Sequence, residues 1–136
     1  MSAEDVASRF VAAINQHDAE AIYELMTEDH HIIDSGGGIV EGREEMKEAW
    51  INYFKMVPDY LISVSEVFVS ENTVVLLGKA SGTYTVDGVI KPENSWETPA
   101  AWRAVVSIEQ ISEWQIFADL EPIREIMRRE SASNGA

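Results

Sequence analysis

Asp34 is the acid in this chain whose surroundings point most directly to chemistry. It follows His30-His31-Ile32-Ile33 and precedes Ser35-Gly36-Gly37-Gly38. A short strand pattern therefore gives way to residues that cannot continue a regular element cheaply. Strand alternation puts His30, Ile32 and Asp34 on one face and His31 and Ile33 on the other. A carboxylate sharing a face with isoleucine has two physical readings. Aimed into an apolar cavity, its charged form is disfavoured, and it is suited to proton transfer near neutral pH. Folded back on the turn, it accepts N–H bonds from Ser35 to Gly37 and acts as a cap. Both readings stay open at this level.

Other patterns carry less chemistry. A zinc site needs three or four ligands sharing a face, whereas adjacent His30 and His31 diverge, so no metal site and no cofactor are expected. His17 precedes Asp18, a helix-cap candidate, and reads as a solvated loop residue. Gly36-Gly37-Gly38 lacks the Lys-Ser/Thr ending of a phosphate loop and reads as a turn. No Gly-x-Ser-x-Gly elbow occurs, which argues against a serine hydrolase. Asp119 stands close enough to Pro122 to cap a final helix.

The large aromatic residues form a second pattern. Trp50, Tyr53 and Phe54 share one face of a helical segment, while Trp102 and Trp114 fall on two late strands. Each alone is ordinary core. A helix and a sheet that must face each other make an aromatic-lined pocket the second reading. The candidate ligand-binding set is His30, Ile32, Trp50, Tyr53, Phe54, Tyr84, Trp102 and Trp114, with Asp34 as the candidate catalytic residue.

Several elements must hold these residues. Ser2 and Asp5 bracket a helix start, and Val6, Phe10, Ala13 and Ile14 recur at helical spacing, predicting a helix over 3–16. Asp18 caps a second helix with Ile22, Leu25 and Met26, ending near Thr27. His30 to Asp34 reads as a strand. The strongest helical signal runs from Arg43 to Val57, with Met46, Ala49, Trp50, Tyr53, Phe54 and Val57 in register. Pro58 stops it. Strands are predicted over 60–69, 73–86, 100–108 and 111–120, followed by a closing helix after Pro122. Helices first and strands afterwards indicate α+β with a largely antiparallel sheet. Residues 1–130 form one domain, and the small, polar stretch 131–136 is expected to fray.

Composition narrows the partners. The chain has 136 residues, 46% of them hydrophobic and 25% charged, with 10 basic against 24 acidic side chains for a net charge of −14. Such a balance suits a globular domain and disfavours nucleic acid and anionic membrane surfaces. Cysteine is absent, which excludes disulfides and thiolate sites. No secretory signal pattern and no spanning apolar run are seen, so a cytoplasmic location is expected.

The order of elements, with Ala13-Ile14-Asn15-Gln16-His17-Asp18, Val40-Glu41-Gly42-Arg43 and Trp114-Gln115-Ile116-Phe117-Ala118-Asp119-Leu120-Glu121-Pro122, resembles the nuclear transport factor 2-like superfamily. The likeness is greatest to its SnoaL-like and ketosteroid isomerase-like branch. The resemblance implies a cone-shaped roll, a curved sheet wrapped around N-terminal helices with an internal apolar cavity, and homodimers formed through the sheet's outer face. Ketosteroid isomerases carry their base on the first strand, where Asp34 falls. Their enolate-stabilising tyrosine and protonated acid match Phe10 and Ala101, neither of which can donate a side-chain hydrogen bond. Limonene epoxide hydrolases carry an Asp where Ile116 stands. For the paired histidines and tyrosines of scytalone dehydratase, only His30 and Tyr84 offer themselves. This match also turns Ala101 and Arg103 inward, whereas apolar alternation turns Trp102, Ala104, Val106 and Ile108 inward.

Two functions follow as expectations. One is a module binding a small hydrophobic molecule in the cone. The other is an isomerase, cyclase or lyase in which Asp34 moves a proton on a carbonyl or polyketide-like substrate.

Overall fold

The computed structural model describes residues 1–134. Helix α1 (Ala3–Asn15) starts at Ser2, whose side chain accepts the Asp5 N–H while Asp5 returns a bond to the Ser2 N–H. Its Val6, Phe10 and Ile14 are fully buried. Helix α2 (Ala19–Glu24) is capped by Asp18. It ends before Thr27 because strand β1 (Met26–Ile33) begins earlier than the alternation suggested. A short β2 (Ile39–Glu41) follows the glycine turn, and α3 (Arg43–Met56) matches its helical periodicity.

Strands β3 (Leu61–Ser70), β4 (Thr73–Thr83), β5 (Ser95–Ser107) and β6 (Gln110–Ala118) complete the sheet, and α4 (Glu121–Asn134) closes the chain. Strand β5 starts five residues before the predicted Ala100, passing through Pro99. Pro99 lies beyond the last β6 pair, Ala100 with Ala118. There β5 has a neighbour on one side only, and a strand tolerates proline. The predicted tail is partly helical: α4 continues through 131–134, since neither Gly nor Pro interrupts it after Pro122. Positions 135 and 136 of that tail lie outside the described residues.

The six strands form one sheet in the order β2-β1-β6-β5-β4-β3. Only β1 with β6 is parallel; the other neighbours are antiparallel. Register shifts place an extra residue in β3 at Ser65 and in β6 at Ser112, bulges of the kind that bend a sheet and increase its twist. No helix among the described residues is long and apolar enough to cross a membrane.

The concave face is graded by side-chain size. At one end Trp114, Trp102, Leu76 and Val74 pack beneath Phe10, whose ring lies 4.9 Å from that of Trp114. Towards the other end the inward positions include Ala80, opposite Thr98, and Ala100, which lies between Gly78 and Ala118. Side chains fill the first end, and the second keeps open volume.

Two contacts hold the helical layer to the sheet edge. The Asn15 side-chain amide donates to the Ile62 carbonyl at 2.9 Å while its Oδ1 accepts the Ile62 N–H at 2.8 Å. This pair supplies edge strand β3 with the partner a further strand would otherwise give. At the other end of the chain reversal, Asp59 accepts both the backbone N–H and the hydroxyl of Thr83 at 2.7 Å.

Gly78 of β4 leaves no room for a side chain against β3: a Cβ there would sit 1.8 Å from the Ser63 carbonyl oxygen. The Gly78→Ala variant is expected to lose about 1–3 kcal/mol, the usual cost of overpacking. Chemical denaturation checks this, and an unchanged midpoint contradicts it.

Candidate functional site

Between α3, α4 and the open end of the concave face lies a cavity of about 400 Å³. Helix α3 contributes Met46, Ala49, Trp50 and Tyr53, and Tyr60 follows from the chain reversal. The sheet contributes Ile32, Ala80, Trp96, Thr98, Ala100, Trp102, Ile116 and Ala118, while Leu120 and Ile123 close it from the start of α4. Trp50, Tyr53, Tyr60 and Trp96 form a continuous aromatic wall. Tyr53 meets Trp50 edge-on at 6.3 Å and Tyr60 edge-on at 5.0 Å, and Trp96 lies 6.2 Å beyond Tyr60.

Of the residues expected to contact a ligand, Ile32, Trp50, Tyr53 and Trp102 line this cavity, as does Asp34. His30, Phe54, Tyr84 and Trp114 do not. Trp114 is fully buried behind the cavity, between Phe10 and Trp102. Phe54 faces elsewhere because His17 stacks on it, ring centroids 4.3 Å apart and nearly parallel. This corrects the reading of His17 as a solvated loop residue. Its Nε2 also bonds the Tyr60 carbonyl at 2.8 Å, and it holds a left-handed backbone at φ 55°. Tyr84 packs against the outer margin of the core, its backbone N–H donating to Asn94.

Asp34 is exposed and stands at the cavity's mouth. Its Oδ1 accepts the Gly36 N–H at 2.8 Å and the Gly38 N–H at 2.9 Å, while its backbone holds both ends of the same turn. The geometry expected of a turn cap is therefore present. Oδ2 carries no hydrogen bond to a described residue.

His30 is fully buried on β1. Its Nδ1 bonds the Ile111 carbonyl at 2.7 Å, so Nδ1 carries the proton and Nε2 is a lone pair without a partner. Burial is the main reason its pKa is depressed below the ordinary 6.5. The two cavity phenols shift the opposite way: burial raises the pKa of both Tyr53 and Tyr60, with Tyr53 adding to the effect on Tyr60. Both stay protonated well beyond the pH at which a free tyrosine ionises.

Sequence reasoning missed Tyr60, Trp96 and the closing residues of α4. Ile116 and Ala118 carried a signal, since they share a strand face with Trp114. Tyr60 and Trp96 carried none, because each stands at an element's start, where periodicity has no length to act. The register of β5 follows apolar alternation. Trp102, Ala104 and Val106 are buried, whereas Ala101 and Arg103 lie on the outer face, against the inward placement that the ketosteroid isomerase match implied. Ile108 departs from the alternating set. It sits in the β5–β6 turn at φ 58° and is 93% exposed.

On that outer face Glu113 accepts from His31 at 2.8 Å and pairs with Arg103. Arg103 is therefore not available to the cavity. Among the described residues no set of His, Asp or Glu side chains could hold a metal ion.

Comparison with known proteins places this geometry. The SnoaL-like domain family model matches residues 7–119. The chain belongs to the SnoaL-like domain family. Solved structures share its fold at low identity. A provisionally assigned SnoaL-like polyketide cyclase from Shewanella denitrificans superposes with TM-score 0.80 at 12% identity, covering 93% of this chain and 97% of the other. IdmH, a provisionally assigned polyketide cyclase from Streptomyces antibioticus, gives 0.78 at 20% identity, covering 94% and 99%. A protein with a ketosteroid isomerase-like fold from Catenulispora acidiphila, solved with trimethylamine, gives 0.76 at 17% identity, covering 87% and 88%. No curated protein matches the sequence.

The buried His30 makes stability depend on pH. Because its folded pKa lies below its unfolded value, the unfolded chain binds the extra proton first. The contribution is whole above pH 6.5 and is lost as pH falls below that value. Between pH 7 and pH 5 the melting temperature of the wild type should fall more than that of His30→Asn, whose amide cannot titrate. Parallel melting curves for the two proteins contradict this.

Proposed function

We propose that this SnoaL-like protein binds a hydrophobic small molecule in the cavity between α3, α4 and the concave sheet face. One observation carries the reading. The cavity's volume of about 400 Å³ falls within the ~300–1,000 Å³ usual for ligand sites, and its walls are chiefly Ala, Ile, Trp and Tyr. Burying an apolar surface against such walls supplies roughly 25 cal/mol per Å². Fluorene, a rigid aromatic hydrocarbon, serves as the probe. Equilibrium dialysis should find one fluorene per chain, and Ala49→Phe, which enlarges a side chain in the wall of α3, should abolish binding without lowering the melting temperature. Equal fluorene uptake by the two proteins contradicts the assignment of the site.

A second reading makes the protein an isomerase, cyclase or lyase, with Asp34 acting on a carbonyl or polyketide-like compound. It draws support from the place of Asp34 at the cavity's mouth, from its unpartnered Oδ2, and from the polyketide cyclase assignments of two structural neighbours. A positioned base contributes a factor of roughly 10²–10⁴. Asp34→Asn should cost about that factor in turnover of any substrate found, with ligand affinity little changed. A cap alone would instead show as about 1 kcal/mol of lost stability in Asp34→Ala with turnover intact.

We also propose a homodimer formed through the outer sheet face. Phe68 is 56% and Phe117 50% exposed there. Together with Val64, Leu77, Pro99 and Ala101 around an open groove, they form an apolar surface of the kind that finds a partner. Sedimentation should show a dimer at micromolar concentration and a monomer for Phe117→Arg. A wild type that is monomeric throughout contradicts it.

A further inference from the structure

Asp34 is the only charged residue among those lining the cavity, and none of the ion pairs among the described residues includes it. Its two oxygens differ. Oδ1 accepts the Gly36 and Gly38 N–H groups, which fixes the carboxylate against its own turn, while Oδ2 has no donor. Gly38 gives that second oxygen room. A Cβ built on Gly38 would sit 2.6 Å from Oδ2, and the three atoms nearest to it all belong to the Asp34 carboxyl group. Gly38 is not among the glycines with a left-handed backbone, so clearance for the carboxylate accounts for the missing side chain.

Basic side chains on the neighbouring elements are committed elsewhere. At the start of α3, Arg43 reaches the Met26 carbonyl and lies over the Tyr23 ring, Lys47 pairs with Glu20, and Arg103 pairs with Glu113 on the outer sheet face. The mouth therefore carries one uncompensated negative charge above an apolar space. An anionic ligand is repelled there, by Asp34 and by a chain whose net charge is −14. A cation deep in the cavity would lose its hydration without a partner. At the mouth it keeps water on one side and gains a charge-assisted hydrogen bond to Oδ2 on the other.

We propose that the site takes hydrophobic amines, with the apolar body in the cavity and the ammonium head on Asp34 Oδ2 at its mouth. This rests on the reading of the cavity as a hydrophobic ligand site. A bare metal ion is the poorer match, because calcium or magnesium takes about six oxygens or more and the mouth offers one carboxylate. A neutral hydrophobe fills the cavity but leaves Oδ2 to water. In this role Asp34 holds the ligand by charge and moves no proton, which separates it from the role of a base. The glycine turn then has a binding purpose, since it fixes one carboxylate oxygen and leaves the other unobstructed.

Three naphthalene probes of nearly equal shape isolate the charge: 1-naphthylmethylammonium, 1-naphthylmethanol and 1-naphthoate. Equilibrium dialysis at pH 7.5 and low salt should rank their affinities in that order, the ammonium exceeding the alcohol by roughly threefold to tenfold, as one charge pair at a surface mouth allows. That ratio should shrink as salt is added, because a pair open to solvent is screened. Asp34→Asn keeps an oxygen for the Gly36 and Gly38 N–H groups and removes the charge, so it should bring the ratio to about one with the alcohol affinity unchanged. Ala49→Phe keeps the net charge but fills the cavity, so it should bind none of the three. Equal affinity of the wild type for ammonium and alcohol overturns the charge selection and leaves the cavity reading intact. A ratio that survives in Asp34→Asn, or that salt does not move, overturns the assignment to this carboxylate. Ammonium uptake by Ala49→Phe equal to that of the wild type places the probe on the acidic surface and overturns the proposal too. If the wild type binds fluorene and none of the three, this inference alone falls; if it binds neither fluorene nor these probes, the cavity reading falls with it.

Discussion

Side-chain size along the concave face governs whether this fold encloses a site or a solid core. The six strands present one continuous apolar surface, and the helices α1 and α3 lie against it. Where Trp102 and Trp114 project, Trp114 meets Phe10 and all three rings are fully buried. Where Ala80, Ala100 and Ala118 occupy the equivalent positions, the sheet cannot reach α3 and the volume stays open. The bulges at Ser65 and Ser112 bend the sheet around that volume. The cavity is thus a consequence of three alanines and a curved sheet, and everything proposed about ligand binding depends on them.

The helical layer has to stay in place above an unfilled space, and polar contacts at its edges do that work. Asn15 clamps the end of α1 to the free edge of β3, and His17 ties the following turn to Tyr60 while bracing Phe54. On the far side, Arg129 donates to the Glu93 carbonyl and to Asn94 Oδ1, and Asn94 donates to Glu130, fastening α4 over the cavity. Each uses a residue type whose side chain imitates or engages backbone groups, which suits the ends of elements. The site is therefore bordered by directional bonds, while its interior walls are apolar.

The two faces of the sheet divide the chemistry. Inward positions carry no charge: burial lowers the pKa of His30 and raises those of Tyr53 and Tyr60, which keeps all three neutral. Outward positions carry the His31–Glu113–Arg103 network beside exposed Phe68 and Phe117. A chain with a net charge of −14 thus keeps its acids away from the cavity, and among the described residues Asp34 is the one carboxylate that lines it.

Much of the architecture was legible before any coordinates. The i, i+3, i+4 spacing from Met46 to Val57 placed α3 and its aromatic face, whereas alternation around Trp102 and the family match pointed to opposite faces of β5, and only the strand register decided between them, because a one-residue slip exchanges the two faces. Asp34 was legible as a cap, since an Asx side chain before glycines has backbone N–H groups within reach. Short or terminal features were not. Strand β2 has three residues, and β5 begins before a proline. Tyr60 and Trp96 flank strands too closely to show a period. Nor could the sequence say that His17 would engage Phe54, that Trp114 would lie behind the cavity, or that Tyr53 and Tyr60 would meet at 5.0 Å. Periodicity is local and reports which side of an element is apolar. Which apolar residues touch one another, and which enclose a space, depends on how strands and helices distant in sequence pack, and only the tertiary structure decides that.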